Sequence, residues 1–394
     1  MRKNSILVLL FCALPLSAQN VEKDKAALMA EIERNNTTLA TLRQKVVAEK
    51  QKNAVDNGLP NPSFDFSNTW GNQPQDVPTQ NYSVEQEFDW GTITGQRKRT
   101  TKSANKVVDL NYQIERQTLL AEAELLIVEL TYNNALCEEI RMREERAAEL
   151  KDLYEKKFKA GDADQLELNK VRLNHTSIVA ELRKAIADGE AVKENLKRLN
   201  GNKDFKYEYS SYANKALPTL AALQNQAKTL APQMLILNSN IDLETQRLKV
   251  SKSEAFPNLK LGYAGSNAKD IRTNALTVGI DLPLWGNDRR RMKQQKAELA
   301  VAKLEKQDIE TQINATLTRQ YKNAISLYQI SEQLKKELQI NEDITILDKA
   351  LSAGKLSLIE YLNEIMFYYD TRTQSIEAER NAQIAIASVW DIFR

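Results

Sequence analysis

Proline is absent from two long tracts of this sequence, and this absence is the feature that most constrains the fold. The tracts cover residues 79–217 and 284–394. A proline in a helix interior costs about 3 kcal/mol, so both tracts can form long helices. Apolar residues in the second tract recur mostly every three to five positions, as on one face of a helix: Leu304, Ile309, Ile313, Leu317, Tyr321, Ile325, Ile330, Leu334, Leu338, Ile344, Leu347 and Leu351. A helix over residues 289–351 would be on the order of 95 Å long, which predicts a coiled-coil rod or tube.

A single glycine-containing segment divides each tract. The segment Lys159-Ala160-Gly161-Asp162 divides the first tract, and Ser352-Ala353-Gly354-Lys355 divides the second. Glycine readily adopts the left-handed conformation that ends a helix. Returning helices are expected over residues 163–200 and 356–393, so each tract forms a helical hairpin.

Apolar and polar residues alternate with a period of two, as in β-strands, in the segments outside these tracts and close to their ends. Strands are expected at about 62–70, 82–90, 258–264 and 275–284. Segments of about ten residues with aromatic side chains at their ends are typical of membrane strands, which turn one face to lipid and the other to water. Soluble hairpins packed on the helices would show the same alternation, so both interpretations stay open.

The two halves of the chain repeat the same order of motifs. The matched motifs lie 197, 195 and 193 residues apart: Leu59-Pro60-Asn61 with Phe256-Pro257-Asn258, Phe88-Asp89-Trp90-Gly91 with Pro283-Leu284-Trp285-Gly286, and Ala160-Gly161 with Ala353-Gly354. Such a constant order indicates an internal duplication. The first repeat is expected over residues 19–200, with its helical hairpin at about 97–200. A linker covers 201–218, and the second repeat covers 219–394 with a hairpin at about 288–393.

Duplication gives four strands per chain, too few to close a membrane barrel of about eight or more strands. An open sheet edge is not tolerated in lipid. Strands that span a membrane must therefore belong to an oligomer that shares one barrel. Two chains would supply eight strands and three would supply twelve, and the larger number leaves room for a pore. The sequence thus requires at least a dimer and favours a trimer.

The first 18 residues have the layout of a secretory signal peptide. Arg2 and Lys3 precede an apolar run over residues 6–14, and cleavage is expected after Ala18. The run is too short to span a bilayer, which takes roughly 20 apolar residues. A buried first helix is the alternative. Lipidation of Cys12 is disfavoured because a bulky phenylalanine precedes it.

No residue pattern in the mature chain indicates catalysis. Cys137 is its only cysteine and His175 its only histidine, almost 40 residues apart, so neither a thiol–imidazole pair nor a metal cluster is recognisable. The formal net charge of +2 is spread over mixed charges, without a basic block typical of nucleic-acid binding. After residue 18 no apolar stretch is long enough for a transmembrane helix. We therefore expect no enzyme activity, no cofactor, no resident metal and no nucleic-acid partner.

Taken together, the signal peptide, the duplicated strand–strand–long-helix unit and the glycine turns resemble the TolC-type outer-membrane factors over residues 24–394. The resemblance implies a mostly α fold with a small β part, in which a homotrimer forms a twelve-strand β-barrel on a long α-helical periplasmic tube. It also implies location in the outer membrane after export by the general secretory route. The implied partners are outer-membrane lipid, a periplasmic adaptor and an inner-membrane pump, which we expect to be of the resistance–nodulation–division type.

The resemblance also assigns roles at the two turns. The positions that match the family's periplasmic tip, where the adaptor docks, are Gly161, Asp164, Gly354 and Ser357. Glu167 and Glu360 match acidic positions that line the pore constriction, and three carboxylates near one axis would favour cations. A solvated helix face is the alternative for both. Leu351 and Leu356 replace a tyrosine and an arginine that lock the gate in some members, and Asn363 replaces a second acidic residue.

The strand ends carry the remaining expected sites. Aromatic residues expected at the membrane–water interface are Trp70, Tyr82, Trp90 and Trp285. The Pro60-Asn61-Pro62 segment and residues 86–91 look most like the heavy-metal efflux branch of the family, so metal cations lead drugs as the expected cargo. A periplasmic coiled-coil scaffold without channel activity, or the exit duct of a type I protein-secretion system, are the alternative functions.

Overall fold

The computed structural model describes residues 14–71, 77–88, 93–213, 217–269, 271–282, 286–340 and 344–393. Within these ranges the chain forms long helices and one four-stranded sheet. The helices are α1 (Leu14–Asn35), α2 (Thr37–Ala54), α3 (Ile93–Ala160), α4 (Gln165–Leu199), α5 (Leu220–Leu230), α6 (Pro232–Ser253), α7 (Asn287–Ile340), α8 (Thr345–Ser352) and α9 (Leu358–Trp390). The strands are β1 (Ser63–Thr69), β2 (Thr79–Phe88), β3 (Asn258–Ala268) and β4 (Ile271–Asp281).

Two compact units divide the chain. The helical unit contains the residues up to Ala40, Arg116–Ala227 and the residues from Ile313 onward, and the sheet unit contains Thr41–Glu115 and Lys228–Gln312. Helix α3 has 68 residues and contributes to both units. At 1.5 Å per residue its length is on the order of 100 Å.

Heptad packing builds the core of the helical unit. Buried residues of α4 recur with a seven-residue period, for example at Val171, Ile178 and Ala185, which is the spacing of a coiled-coil seam. They face the buried stripe of α3, where Ile140 and Ala147 lie on the same contact surface. This pairing confirms the coiled-coil character that the sequence predicts for the first tract.

A second cluster closes the other end of the first hairpin. Leu196 and Leu199 at the end of α4 pack with Ile127 and Leu130 of α3 and with Ile32 of α1. Ile32, Leu130 and Leu196 are fully buried. The linker after α4 supplies Tyr207 to the same cluster.

The four strands form one antiparallel sheet in the order β1-β2-β3-β4. Strand β2 pairs with β3, which joins the two sequence repeats through backbone hydrogen bonds over residues 79–88 and 259–268. Strand β3 then turns directly into β4, with Ala268 paired to Ile271 and a positive φ of 44° at Lys269.

Several element bounds differ from those expected. The expected single helix over residues 289–351 is wrong as one element, because α7 ends at Ile340 and a separate α8 begins at Thr345. The segment between them contains asparagine and aspartate, which have low helix propensity, and residues 341–343 lie outside the described ranges. The expected signal peptide overlaps the start of α1 at residues 14–18. Residues 1–13 are not described, and cleavage stays a prediction.

Strands also begin or end at other residues than the side-chain pattern indicates. Strand β2 begins at Thr79 rather than 82, β3 continues to Ala268 rather than 264, and β4 covers Ile271–Asp281 rather than 275–284. The extra pairs near the β3–β4 turn are mostly polar, with Ala268 and Ile271 as the exception, so they break the apolar alternation but keep the backbone ladder. Pro283, just beyond β4, has no amide hydrogen to donate to a ladder.

Candidate functional site

Both glycine turns have the same backbone geometry. Gly161 has a φ of +83° and Gly354 a φ of +65°. After each helix the glycine amide bonds a carbonyl three residues back, and the next amide bonds a carbonyl five residues back. The second of these bonds is 2.8 Å long in both turns, from Asp162 to Lys157 and from Lys355 to Ala350. This arrangement is a Schellman motif, which requires a left-handed residue and explains both glycines.

A capping box follows each turn and starts the returning helix. In the first box the Asp164 carboxylate accepts a 2.7 Å bond from the Glu167 amide, and the Glu167 carboxylate accepts a 3.1 Å bond from the Asp164 amide. In the second, Ser357 Oγ accepts from the Glu360 amide at 3.3 Å, and the Glu360 carboxylate accepts from the Ser357 amide at 2.8 Å. Both boxes satisfy amides that a helix start would leave without partners.

These boxes give Glu167 and Glu360 a structural role within one chain. The amide of Ser357, followed by its hydroxyl, lowers the pKa of the Glu360 carboxyl, which therefore stays charged to a lower pH than an ordinary glutamate. Both capping sites are exposed. Their expected role at a pore constriction stays a prediction, because a constriction would need several copies of the chain.

The two turns lie side by side. Leu358, the first residue of α9, is buried with Leu168 and Val171 of α4 and with Tyr154 of α3. The turn residue Ala163 packs against the same cluster. The four residues expected to dock an adaptor thus lie in two neighbouring turns at one end of the helical unit.

Polar contacts tie α3 to α8 and α9 next to this end. Arg146 of α3 forms an ion pair with Asp348 of α8, and the same carboxylate accepts a 2.8 Å bond from the Tyr361 hydroxyl of α9. Burial, and next the hydrogen bond to Asp348, raise the pKa of Tyr361. One carboxylate therefore holds three helices together.

A buried ionic cluster continues the contact between α3 and α9. Arg143 bonds Glu139 at 3.0 Å and donates at 2.9 Å to the Tyr369 carbonyl and to the Thr373 hydroxyl. Its guanidinium lies 4.7 Å from the centre of the Tyr369 ring. Burial raises the pKa of the Tyr369 phenol to about 12. Arg372 of α9 reaches the other oxygen of Glu139 at 3.2 Å.

Sequence reasoning missed both polar contacts. It weighed Leu351 and Leu356, where some relatives carry lock residues, and did not consider charges elsewhere on the same helices. A usable signal was present: Glu139 and Arg143 carry opposite charges four positions apart in the long helix, a spacing that places them side by side. Charged residues are almost never buried without a partner.

The sheet has two chemically distinct faces. Successive residues of a strand point to opposite faces, and the paired residues of one row share a face. One such row contains Phe64, Val84, Tyr263 and Leu276. The next row, on the opposite face, contains Asp65, Ser83, Ala264 and Ala275.

The apolar face runs across all four strands. Leu276 is 85% exposed, Val278 69% and Phe64 68%. The large apolar side chains of this face are Phe64, Phe66, Tyr82, Val84, Phe88, Leu259, Leu261, Tyr263, Leu276, Val278 and Ile280. An exposed apolar surface this continuous marks a contact with lipid or protein. The opposite face carries small and polar side chains instead, except for Ile271 next to the β3–β4 turn.

Two of the four aromatic residues expected at the membrane–water interface lie within the described ranges. Trp70 follows β1 and is 71% exposed. Tyr82 lies within β2 on the apolar face, with its ring 6.4 Å from that of Tyr263 and beside Gly265, where a Cβ would clash with it. Trp90 and Trp285 lie outside the described residues. The interface role of all four stays a prediction.

His175 and Cys137 both lie in the helical unit. His175 Nε2 is 3.1 Å from the Glu144 carboxylate, and Cys137 packs against the α3–α4 core. Among the described residues, no group of three or more His, Cys, Asp or Glu side chains could hold a metal ion. Of the helices in the described ranges, none is long and apolar enough to cross a membrane.

Solved outer-membrane channels have the same fold. A structure of CusC superimposes with a TM-score of 0.77 at 12% identity, covering 94% of this chain and 92% of that one. The outer-membrane channel OprN gives 0.76 at 14% identity, with 94% and 90% covered. The Campylobacter jejuni CmeC outer membrane channel gives 0.73 at 15% identity, with 94% and 85% covered.

No family model and no curated protein matches this chain. The structural similarities nevertheless extend over nearly the whole chain and nearly the whole of each solved channel. They show that this chain has the fold of these outer-membrane channels, which is the fold that the resemblance to the TolC-type outer-membrane factors implies.

Proposed function

We propose that three copies of this chain form an outer-membrane export channel. Each copy would contribute four strands to a shared twelve-strand barrel and its long helices to a periplasmic tube. The channel would be a passive conduit that carries cargo from the periplasm to the exterior, so it needs no catalytic residue and no cofactor.

The two-faced sheet is the observation that supports this proposal. Its apolar face suits lipid and its polar face suits a water-filled interior. Among the described residues, β1 pairs only with β2 and β4 pairs only with β3. Lipid cannot hydrogen-bond the free backbone groups of these two edges. Pairing β1 of one copy with β4 of the next would satisfy them and close a ring.

The paired turns are the proposed docking end of the channel. Gly161 and Gly354, with the capping residues Asp164 and Ser357, would receive a periplasmic adaptor that connects to an inner-membrane pump of the resistance–nodulation–division type. Metal cations are the first proposed cargo and drugs the second. The heavy-metal resemblance of the Pro60-Asn61-Pro62 segment supports that order.

A periplasmic scaffold is the competing proposal. It would leave the apolar face of the sheet in water or covered by an unknown protein, which makes it the weaker interpretation. An exit duct for secreted proteins would use the same barrel and tube, and would differ only in its pump and cargo.

Two neighbouring lysine substitutions distinguish a membrane sheet from a soluble one. Leu276 and Thr277 are adjacent, both exposed and on opposite faces of β4. A lysine on the lipid face costs about 2–4 kcal/mol near the bilayer midplane. We therefore expect Leu276→Lys to reduce outer-membrane insertion and conductance in planar bilayers severely, and Thr277→Lys to preserve insertion and alter only ion selectivity.

Thr277→Lys is the control for Leu276→Lys. In a soluble scaffold both residues would face water, and both substitutions would change stability by less than about 0.5 kcal/mol. Equal membrane fractionation of both variants, with no conductance from the unaltered protein, would reject the channel proposal.

A further inference from the structure

Positive charge is concentrated at the starts of two helices in the sheet unit. We call these eight side chains the basic belt: Arg97, Lys98, Arg99, Lys102, Arg289, Arg290, Arg291 and Lys293. Over residues 96–102 and 287–293 the only carboxylate is Asp288, so these short segments carry a net charge of +7, against +2 for the whole chain. One such segment lies in each sequence repeat.

A single carboxylate brings the two segments together. Glu254 accepts a 2.8 Å bond from Arg291 and lies 3.5 Å from Arg97. Its side chain is 20% exposed, so it is held between the start of α3 and the start of α7. One carboxylate cannot neutralise eight cations, and the group keeps a large positive excess.

Most of this excess faces solvent. Lys98, Arg99, Arg289 and Arg290 are all exposed. Arg289 and Arg290 lie in the first turn of α7, where the helix dipole disfavours positive charge, whereas Lys98 and Arg99 lie in the second turn of α3. Helix stability therefore does not explain the basic residues at the start of α7.

The belt follows the strands of the apolar face closely along the chain. Four residues separate the end of β2 from the start of α3, and five separate the end of β4 from the start of α7. Phe256, two residues after Glu254, is 59% exposed. Ile280, near the end of β4 on the apolar face, is 58% exposed. An apolar surface bordered by cations matches the acyl chains and phosphates of a lipid leaflet.

We propose that the basic belt binds the phosphate groups of anionic phospholipids in the periplasmic leaflet of the outer membrane. This inference rests on the proposed membrane function, because the belt lies at the helix-side end of the strands. Guanidinium groups bind phosphate through two parallel hydrogen bonds. The belt would fix the depth of the barrel and select phosphatidylglycerol or cardiolipin over neutral lipids.

The test compares lipid retention by two matched variants of the full-length protein. The belt variant neutralises the four exposed cations: Lys98→Gln, Arg99→Gln, Arg289→Gln and Arg290→Gln. The control variant neutralises four exposed cations of the α3–α4 hairpin: Lys156→Gln, Lys159→Gln, Arg183→Gln and Lys184→Gln. Each protein is reconstituted into vesicles of phosphatidylcholine alone or of phosphatidylcholine with phosphatidylglycerol, extracted, and analysed by native mass spectrometry for bound lipid.

Each basic residue near an anionic leaflet strengthens binding about fivefold. We expect the unaltered protein and the control variant to retain phosphatidylglycerol over phosphatidylcholine, and the belt variant to lose that preference at least tenfold. Equal retention of phosphatidylglycerol by the belt variant would overturn the inference. So would complete displacement of the lipid by inorganic phosphate at equal charge, which would indicate a phosphate site instead.

Failure of the broader proposal would look different. If the unaltered protein inserts into neither vesicle, the membrane function itself is wrong. If it inserts and conducts in both vesicle types without any lipid preference, only the lipid-binding inference is wrong.

Discussion

At the scale of single residues, the two turns are determined by backbone needs before any partner is considered. Gly161 and Gly354 both have a positive φ, and no atom beyond the adjacent residues lies within 4 Å of the position that a Cβ would occupy. Glu167 and Glu360 both close capping boxes. A duplicated structural motif therefore explains why these residue types recur 193 positions apart, whatever their further roles.

Replacing Gly354 with valine isolates the conformational requirement. A β-branched residue in the left-handed region costs about 1–2 kcal/mol, and no neighbouring atom would clash with it. We expect Gly354→Val to lower the free energy of unfolding by that amount in denaturant titrations. Gly58→Val is the control, because Gly58 has a φ of −85° and equally open surroundings. An equal loss in both variants would contradict the assignment.

Glutamine at residue 360 separates the cap from the charge. The third position of a capping box accepts Glu or Gln, so Glu360→Gln should fold normally. If Glu360 lines the pore constriction, cation selectivity measured from reversal potentials in planar bilayers should fall. Glu190→Gln, which changes an exposed residue of α4, should leave the selectivity unaltered. Unchanged reversal potentials in Glu360→Gln would limit this residue to its capping role.

At the scale of elements, ionic and cation–π contacts hold α9 against α3. Glu129 meets Arg380, Glu139 meets Arg372, and Arg143 meets Tyr369. As residue numbers rise along α3, the numbers of the partner residues on α9 fall, so the two helices are antiparallel. Buried charges are tolerated here because each is paired and hydrogen-bonded.

Removing the charge at Asp348 should loosen the second hairpin. This residue bonds Arg146 and Tyr361 together, but its side chain is 39% exposed, so solvent screening limits the effect. We expect Asp348→Asn to destabilise α8 and the start of α9 by about 1 kcal/mol, seen as faster amide hydrogen exchange there. The exposed pair of Glu155 and Arg172 supplies the control, since Glu155→Gln should change exchange little. Identical exchange in all three proteins would refute this role.

The helices and strands could be predicted because apolar residues recur about every 3.6 residues in a helix and every second residue in a strand. Proline scarcity and the apolar stripe indicated α3 and α7, and two-residue alternation indicated the sheet. The break between α7 and α8 was not predicted, because the apolar stripe continues through Ile344 and Leu347 and the low helix propensity of Asn341 and Asp343 is only a weak signal. Charged contacts such as Arg146 with Asp348 link residues 202 positions apart, and one sequence carries no signal for such a pairing.

At the scale of the whole molecule, one chain would be incomplete as the proposed channel. Its described residues form an apolar sheet face but too few strands to close a barrel, and lipid would leave the backbone groups at both edges of this sheet without partners. The internal duplication gives two strands per repeat and four strands per chain. In the proposed channel, closure therefore comes from further copies, and the assembly is the functional unit.

Cross-linking between sheet edges tests this claim most directly. In a Cys137→Ser background, Ser67→Cys on β1 is combined in turn with Thr273→Cys, Ala275→Cys or Thr277→Cys on β4, all on the polar face. Within one chain these strands are three strand spacings apart, roughly 14 Å, beyond a short bismaleimide. A shared barrel predicts that at least one pair yields covalent dimers and trimers and nothing larger. Only monomers from all three pairs, with a single-chain mass in detergent, would contradict it.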